Sequence, residues 1–367
     1  MKKNPFRYGQ VVTGEYFTNR EDEIKEISGE IVSGQNIILI SPRRYGKTSV
    51  IINTINKVRY PFIKIDMNLI TDEVDLGNTL IRKLFSLSKF EKIKHFLKNL
   101  RIQPAIQFDP NSNEVSVVFN QDQKNSAIYL EDAFEMSQNI AKSLKKRIVV
   151  IFDEFQEIRR ISGNLEKKMR SIFQYHKDVS YIFIGSQKHM IRDIFENKSN
   201  PFYKFGKQIL LREMQMDKIK KFVIDRFASR KMDVLPVVDI ILQITNCHPY
   251  YTQQLCHEIF IVNDNKIIHK NSIEKAIDNI LSNHNCDYQE WWGQLDNTER
   301  KIIIGICSGM KNPTSGKFIF AFGIKSTSTA GSAVKRLIEK GILIKRNGNV
   351  CLIEDPFWMR WIILNRK

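Results

Sequence analysis

The segment Ile37-Ile38-Leu39-Ile40-Ser41-Pro42-Arg43-Arg44-Tyr45-Gly46-Lys47-Thr48 is the most informative part of this chain. Its first four residues are all apolar, which is typical of a strand buried on both faces of a parallel sheet. Residues 48–58 carry apolar side chains at helical spacing, and residues 61–66 predict a second strand. This order forms a β-α-β unit, which requires parallel strands. The sequence therefore predicts an α/β fold with a doubly wound parallel sheet.

The turn between this strand and this helix has the chemistry of a phosphate-binding loop. Residues 41–48 match G-x-x-x-x-G-K-[ST] except at the first position, where Ser41 replaces glycine. In such a loop, backbone N–H groups bind phosphates, Lys47 reaches the β- and γ-phosphates, and the Thr48 hydroxyl coordinates Mg²⁺. The Cβ of Ser41 would cost about 1 kcal/mol if its position needs a positive φ. A basic surface turn is the alternative interpretation.

Two further strands end in polar side chains. Residues 148–152 are apolar and lead into Asp153-Glu154, and residues 181–184 lead into Gly185-Ser186-Gln187. The carboxyl ends of parallel strands meet at one edge of the sheet, so these side chains are expected beside the phosphate loop. Asp153 would then hold Mg²⁺ through its water shell, Glu154 would activate the attacking water, and Ser186 or Gln187 would contact the γ-phosphate. The alternative interpretation is that Asp153-Glu154 and the turn at 185–187 simply end their strands and bind no ligand.

Together these segments resemble the archaeal-type ATPases of the AAA+ superfamily, which are P-loop ATPases close to the signal-transducing ATPases with numerous domains. The resemblance spans nearly the whole chain and rests on Phe17-Thr18-Asn19-Arg20-Glu21-Asp22-Glu23, which is similar to an adenine-side box, and on Pro42 to Ser49, Asp153-Glu154-Phe155-Gln156, Gly185-Ser186 and His248-Pro249-Tyr250-Tyr251. It implies ATP and Mg²⁺ as cofactors. The predicted nucleotide-binding residues are Arg20, Pro42, Arg43, Arg44, Tyr45, Gly46, Lys47, Thr48, Ser49 and Pro249. Catalytic roles fall to Lys47, Glu154 and Ser186, and metal binding to Thr48 and Asp153.

The resemblance also implies a domain order. A P-loop ATPase domain is expected over residues 1–210, with a hairpin insertion at about 102–120, followed by an all-helical lid over 211–285 and a C-terminal winged-helix domain over 286–367. It places the lid segment 246–249 near the nucleotide, although Asn246 stands where relatives usually have glycine. Residues 76–100 are basic and amphipathic, which predicts a core-facing helix, or alternatively a helix on a membrane surface.

A second departure concerns residues 200–207, where relatives often carry an arginine. Here the available cations are Lys204 and Lys207. Lysine lacks the bidentate guanidinium fork that stabilises a phosphoryl-transfer transition state. The sequence therefore favours a slowly hydrolysing switch over a fast motor, unless a partner supplies the missing group in trans.

The winged helix is also predicted from the residues themselves. Helices are expected from residue 298, over 315–322 and from a cap at Ser326, before a hairpin over 342–353 whose tip is the wing. Polar and basic side chains on the third helix and wing suit a DNA groove and its phosphates. The candidate nucleic-acid contacts are Lys325, Lys335, Arg336, Lys345 and Arg346. In signalling relatives such a domain can instead clamp the lid, with a protein as partner.

Composition limits the remaining possibilities. The 367 residues are 42% hydrophobic and 26% charged, which excludes a disordered or low-complexity chain. The net charge is +17, and residues 298–367 hold 13 Lys and Arg against four Asp and Glu. This surplus favours a polyanionic partner, and DNA is the expected one, although a solvated basic surface would have the same composition.

The location and assembly of the protein follow only in outline. The apolar runs are too short to span a bilayer, and the N-terminal residues lack the apolar stretch of a secretory signal, so we expect a cytoplasmic protein. The five cysteines are odd in number and lack C-x-x-C spacing, so we expect reduced thiols. The adjacent pairs Cys247-His248 and Cys256-His257 predict packing rather than a zinc site. An oligomer is possible, as is a protein effector or a nuclease acting in trans. A DNA-binding regulator with a relic nucleotide fold is a further alternative, which the intact motifs disfavour.

Overall fold

A computed structural model describes residues 3–17, 20–87, 105–109, 114–118, 126–211, 214–345 and 350–366. The chain divides into two compact units. One unit comprises Arg20–Pro42 and Lys47–Arg212, and the other comprises Met1–Asn19, Arg43–Gly46 and Glu213–Lys367. The predicted lid and winged helix thus share one unit with the N-terminal segment. The domain boundaries inferred from sequence, at residues 210 and 285, stay predictions.

The strands of the described residues are β1 (Ile37–Ile40), β2 (Phe62–Asp66), β3 (Ala105–Asp109), β4 (Glu114–Val118), β5 (Ile148–Asp153), β6 (Val179–Gly185), β7 (Lys207–Leu210), β8 (Leu343–Lys345) and β9 (Cys351–Ile353). The first unit is built on a five-stranded sheet in the order β2-β5-β6-β1-β7, in which all neighbouring strands are parallel. Every residue of β1, β5 and β6 is buried, as a strand covered on both faces requires. The parallel α/β sheet predicted from the sequence is confirmed.

Helices cover this sheet. They are α1 (Glu21–Ser33), α2 (Lys47–Val58), α3 (Glu73–Phe85), α4 (Ser126–Leu144), α5 (Ile158–Ile161), α6 (Leu165–Phe173) and α7 (Lys188–Glu196). Helix α1 packs against α2, and α3 packs against α4. Alternate residues of β1 face opposite sides, because Ile38 and Ile40 join the core cluster that contains α3 and α4. Ile37 and Leu39 are equally buried but lie outside that cluster.

The edge strand β7 was not predicted. It pairs with β1, with Ile37 opposite Lys207 and Ile40 opposite Leu210. Only Ile209 is buried among its four residues, so the strand has no apolar run that a sequence pattern would show. In the segment where the sequence predicts a hairpin insertion, β3 and β4 form an antiparallel pair, in which Ala105 lies opposite Val118. The predicted helix over 76–100 is present as α3 up to Phe85, and its remainder from residue 88 lies outside the described residues.

The second unit is mainly helical. Its helices are α8 (Met216–Ala228), α9 (Val238–Ile244), α10 (Pro249–Val262), α11 (Lys270–Asn283), α12 (Asn285–Gly293), α13 (Asn297–Cys307), α14 (Gly316–Ala321), α15 (Thr327–Glu339) and α16 (Pro356–Asn365). Phe6, from the N-terminal segment, is buried in their core against Phe222 and Phe227. No described helix is both long enough and apolar enough to cross a membrane.

The winged helix has the elements that the sequence predicted. Helices α13, α14 and α15 are followed by the antiparallel strands β8 and β9, with Leu343 opposite Ile353. Ser326 caps α15, because its Oγ accepts the Thr329 N–H at 3.2 Å. The tip of the wing, residues 346–349, lies outside the described residues.

Candidate nucleotide site

The phosphate loop contains two left-handed residues. Arg44 has φ 62° and Gly46 has φ 81°, whereas Ser41 is not among the residues with positive φ. The strain expected for Ser41 therefore does not arise, and its Oγ donates to the Pro42 carbonyl at 3.2 Å. The unfavourable conformation falls instead on Arg44, where a side chain costs about 1–2 kcal/mol relative to glycine.

Lys47 begins α2 and is buried. Its Nζ donates to the carbonyl oxygens of Ser41 at 3.0 Å and Pro42 at 2.8 Å. The ammonium is thereby held inside the curve of the loop, at the amino end of a helix that favours anions. Thr48 follows on the first turn of the same helix, Ser49 is buried behind it, and Arg43 is exposed.

Asp153 ends β5 at the predicted metal position. Its Oδ2 lies 3.5 Å from the Thr48 Oγ1, and its Oδ1 accepts the Glu154 N–H at 3.1 Å. The Lys64 Nζ lies 2.6 Å from the same Oδ2. A hydroxyl and a carboxylate are hard oxygen ligands of the kind that Mg²⁺ takes alongside water and phosphate. Thr48 and Asp153 therefore fit a magnesium ion.

Glu154 is held in one orientation. It has φ 51° and ψ 48°, a left-handed conformation that directs its side chain toward β6. Its Oε2 accepts hydrogen bonds from the Ser186 Oγ at 2.6 Å, the Ser186 N–H at 3.3 Å and the Gln156 Nε2 at 2.7 Å. Burial raises the pKa of Glu154, but these hydrogen bonds and the charge of Lys47 together lower it by more. The net pKa is therefore below its usual value. The carboxylate is therefore ionised at neutral pH.

Gly185 makes this arrangement sterically possible. A Cβ at this position would lie 2.2 Å from the Ile191 Cγ1 and 2.9 Å from the Gln156 Oε1. Any side chain would push Gln156 away from Glu154. This explains why a glycine precedes Ser186 at the end of β6.

Arg20 is buried, and two of its guanidinium nitrogens have no hydrogen-bond acceptor among the described residues. It is 3% exposed, and its Nη1 donates to the Glu23 Oε1 at 2.7 Å. Its Nε and Nη2 are buried and make no hydrogen bond within the described residues. Such unpaired donors are costly unless an acceptor arrives. The adenine-side role inferred for Arg20 would supply acceptors from a base or ribose.

The tip of the phosphate loop belongs to the unit that contains α10. The Arg44 Nη1 donates to the Tyr251 Oη at 2.9 Å, and its guanidinium lies 5.0 Å from the Tyr250 ring centroid. The rings of Tyr45 and His248 are 4.6 Å apart. Pro249, predicted near the nucleotide, is buried at the first position of α10. Asn246 has φ 49°, a left-handed value that glycine adopts without strain, which fits the glycine that the family resemblance implies at this position.

The basic residues of the winged helix differ in their surroundings. Lys325, Lys335 and Lys345 are exposed, and Arg346 lies outside the described residues. Arg336 contacts acids of its own domain: its Nη2 lies 2.6 Å from the Asp296 Oδ2 and its Nε 3.1 Å from the Glu299 Oε1. Its side chain is thereby directed toward α13. The described residues contain no cluster of three or more metal-ligating side chains, and Cys256 is buried in the core, as expected for packing.

The sequence motifs identify Lys47, Thr48, Asp153, Glu154 and Ser186, which the structure places at one edge of the sheet. The motifs do not identify two neighbours of these residues, Gln156 and Lys64. Gln156 lies within a motif that gives it no role, and its spacing after Glu154 is the available signal. Lys64 has the pattern of an ordinary strand residue. Lys64 and Asp66 lie on the same face of β2, because both alternate with buried isoleucines. This shared face is only a weak signal that Lys64 belongs to the site.

Comparison with known proteins agrees with this fold. Residues 17–255 match a family described as an ATPase domain predominantly from Archaea, and residues 286–363 match a probable winged helix domain. A Walker-type ATPase of Pyrococcus abyssi is 16% identical with a TM-score of 0.67, covering 94% of this chain and 96% of that one. The Aeropyrum pernix ORC1 protein in complex with DNA is 11% identical with a TM-score of 0.52, covering 100% and 98%.

The Aeropyrum pernix ORC2 protein, in ADPNP and ADP complexes, is 10% identical with a TM-score of 0.60, covering 98% of both chains. At these identities the likeness shows the fold. No curated protein matches the chain. Because the family match covers more than half of the sequence, the chain belongs to the family of ATPase domains found predominantly in Archaea.

Proposed function

We propose that this protein is a Mg²⁺-dependent, ATP-binding and slowly hydrolysing switch whose winged helix binds DNA. The observation that carries the nucleotide part is the meeting of Lys47, Thr48, Asp153 and Glu154 at one edge of the sheet. Lys47 and Asp153 are both buried at this edge, where the phosphates of a nucleoside triphosphate would contact the ammonium and its metal would contact the carboxylate.

Each side chain then has a definite task. Lys47 neutralises the β- and γ-phosphates, while Thr48 and Asp153 hold Mg²⁺, which supplies charge neutralisation for the transferred phosphoryl group. Glu154 is ionised and accepts the proton of the attacking water. Ser186, which donates to Glu154 at 2.6 Å, keeps the carboxylate in position.

Hydrolysis is expected to be slow. Lys207, one candidate for the missing arginine, lies 3.4 Å from the Glu26 Oε1 and 3.7 Å from the Glu30 Oε1. These acids of α1 draw its ammonium toward their own helix. Neither Lys207 nor Lys204 offers a guanidinium fork, so transition-state stabilisation would come from a partner subunit or effector.

The DNA part rests on the winged helix and its exposed lysines. The domain carries a surplus of nine positive charges over residues 298–367, since 13 minus four is nine. A related fold has been solved in a complex with DNA, namely the ORC1 protein of Aeropyrum pernix. We propose that the protein works in the cytoplasm, where its five free cysteines would stay reduced, and that a nuclease or other effector could act in trans.

One observation favours the alternative, an ATP-regulated scaffold whose winged helix engages protein. Arg336 pairs its guanidinium with Asp296 and Glu299 and is less available for a phosphate. Under this alternative the domain would clamp the lid, and DNA affinity would be absent.

The nucleotide part is tested by Lys47→Ala. Removal of the ammonium should abolish ATP binding measured by calorimetry in Mg²⁺ buffer, because no other side chain of the loop is buried with a positive charge. Lys57→Ala, at an exposed position of the same helix, is the matched control and should bind as the wild type does. Equal affinity in the Lys47 variant and the wild type would refute the assignment.

A further inference from the structure

Asp153 has a cationic neighbour to which no sequence motif assigns a role. Lys64 lies on β2 with its Nζ 2.6 Å from the Asp153 Oδ2. In the register of β2 and β5, Lys64 lies opposite Ile151 and Asp66 lies opposite Asp153. The long lysine side chain therefore reaches two residues along the neighbouring strand to the end of β5.

The oxygen that Lys64 contacts is the one on the Thr48 side. The Asp153 Oδ1 already accepts the Glu154 N–H at 3.1 Å, while Oδ2 lies 3.5 Å from the Thr48 Oγ1. A magnesium ion and its water shell, held by Thr48 and Asp153, would need this same oxygen. The lysine ammonium and such a metal would therefore compete for one atom.

Lys64 is placed to leave when the metal arrives. Its side chain is 32% exposed, and it projects from an edge strand of the sheet. Lys47, by contrast, is 7% exposed and donates to two carbonyl groups of its own loop. A partly exposed ammonium on a flexible stem can return to water at small cost.

We propose that Lys64 is a built-in competitor of Mg²⁺ at Asp153. Without metal, its ammonium neutralises a carboxylate that would otherwise repel the phosphates, so nucleotide can bind before Mg²⁺. With metal, the ammonium must be displaced, so more Mg²⁺ is needed than a site without the lysine would require. The proposal rests on the nucleotide-binding function proposed above and extends it to the order of loading.

The first test compares Lys64→Met with the wild type and with Lys57→Met, an exposed control on α2. Affinity for a non-hydrolysable fluorescent ATP analogue is measured in EDTA and across a Mg²⁺ titration. In Lys64→Met, affinity in EDTA should fall about tenfold, and half-saturating Mg²⁺ should also fall about tenfold, corresponding to about 1.4 kcal/mol each. Lys64→Arg should resemble the wild type in both measurements.

In Lys64→Met, nucleotide binding in EDTA should thus become weaker while Mg²⁺ binding becomes tighter. These two opposite changes separate competition from a purely structural role. A structural role would weaken binding equally with and without Mg²⁺, and that result would overturn the proposal. Unchanged values in both conditions would overturn it too. In an Asp153→Asn background, Lys64→Met should add no further change, because the two substitutions remove the same interaction.

A second test needs no nucleotide. Mn²⁺, which prefers the same oxygen ligands, is titrated alone and followed by electron paramagnetic resonance. Lys64→Met should bind it about tenfold more tightly than the wild type, and equal affinity would contradict the proposal. If the wild type failed to bind the ATP analogue in every buffer, the proposed function would fall, while the Mn²⁺ comparison would still decide the role of Lys64.

Discussion

Glu154 combines strain with tight hydrogen bonding. Its left-handed backbone, at φ 51°, is unfavourable for a side chain, and strain of this kind is often kept at functional sites. Ser186 and Gln156 both donate to its Oε2, which fixes the carboxylate after β5 and stabilises its ionised form. The residue that would accept a proton from water is therefore charged and oriented before any substrate binds.

The hydrogen bond from Ser186 predicts a pH effect. Because Ser186 stabilises the ionised carboxylate, Ser186→Ala should raise the pKa of Glu154. The acid limb of the hydrolysis profile should then move to higher pH, with turnover near neutrality less affected. A profile of turnover against pH at saturating Mg²⁺ and ATP measures this shift.

Glu154→Gln is the control for this experiment. It should keep nucleotide affinity but lose turnover by about 10²–10⁴-fold, because the metal-holding Asp153 remains while the base is gone. An unmoved acid limb in Ser186→Ala would show that Glu154 does not set it.

The lowered pKa of Glu154 also affects the stability of the fold, because the ionised carboxylate stabilises the folded chain above the pKa that Glu154 has in the unfolded chain. That contribution is lost as pH falls through its folded pKa.

At the scale of the element, Glu299 connects two helices of the winged helix. It is 1% exposed on α13 and takes part in a capping box with Asp296. Its carboxylate also accepts hydrogen bonds from the Arg336 Nε at 3.1 Å, in the last turn of α15, and from the Lys340 Nζ at 2.8 Å, at the C-cap of the same helix. A buried carboxylate with three partners is a strong constraint on how these helices pack.

Neutralising Glu299 should therefore destabilise the domain. Glu299→Gln keeps the shape of the side chain but weakens its charge-assisted hydrogen bonds, at an expected cost of about 1–3 kcal/mol. Glu339→Gln, on the exposed side of α15, is the control and should change stability by less than about 0.5 kcal/mol. Urea unfolding followed by tryptophan fluorescence measures both, and equal midpoints would refute the role of Glu299.

Some elements are predictable from the sequence and others are not, for physical reasons. Strands β1, β5 and β6 are predictable because burial on both faces demands continuous apolar runs. Strand β7 is not, because only Ile209 among its four residues is buried and no apolar run or alternation marks it. The ion pair of Lys64 with Asp153 joins residues 89 positions apart, and only the pairing of β2 with β5 brings them together.

The phosphate loop shows the same limit on a smaller scale. Its motif places Lys47 and Thr48 correctly at the start of α2, because loop chemistry is local. The motif does not show that Arg44, rather than Ser41, takes the left-handed conformation. Nor does the sequence show that Phe6, in a segment without periodicity, is buried against α8.

For the whole molecule, the charge distribution is the feature that bears on partners. About half of the +17 net charge lies within residues 298–367, in the winged helix. Arg336 is directed toward acids of its own domain, whereas Lys325 and Lys345 are exposed. Lys325, just before α15, and Lys345, on the first strand of the wing, are therefore expected to displace counterions from DNA.

Replacing Lys345 and Arg346 together with Ala should flatten the slope of log affinity against log salt by about two units, near 0.9 for each phosphate that is no longer neutralised. Arg336→Ala should leave the slope unchanged, because its guanidinium is engaged within the domain, although the domain should become less stable. Filter binding at four salt concentrations measures the slopes, and calorimetry checks that ATP affinity is unaltered. A wild-type protein with no DNA affinity even at low salt would instead favour the scaffold alternative, in which the same substitutions alter nucleotide release.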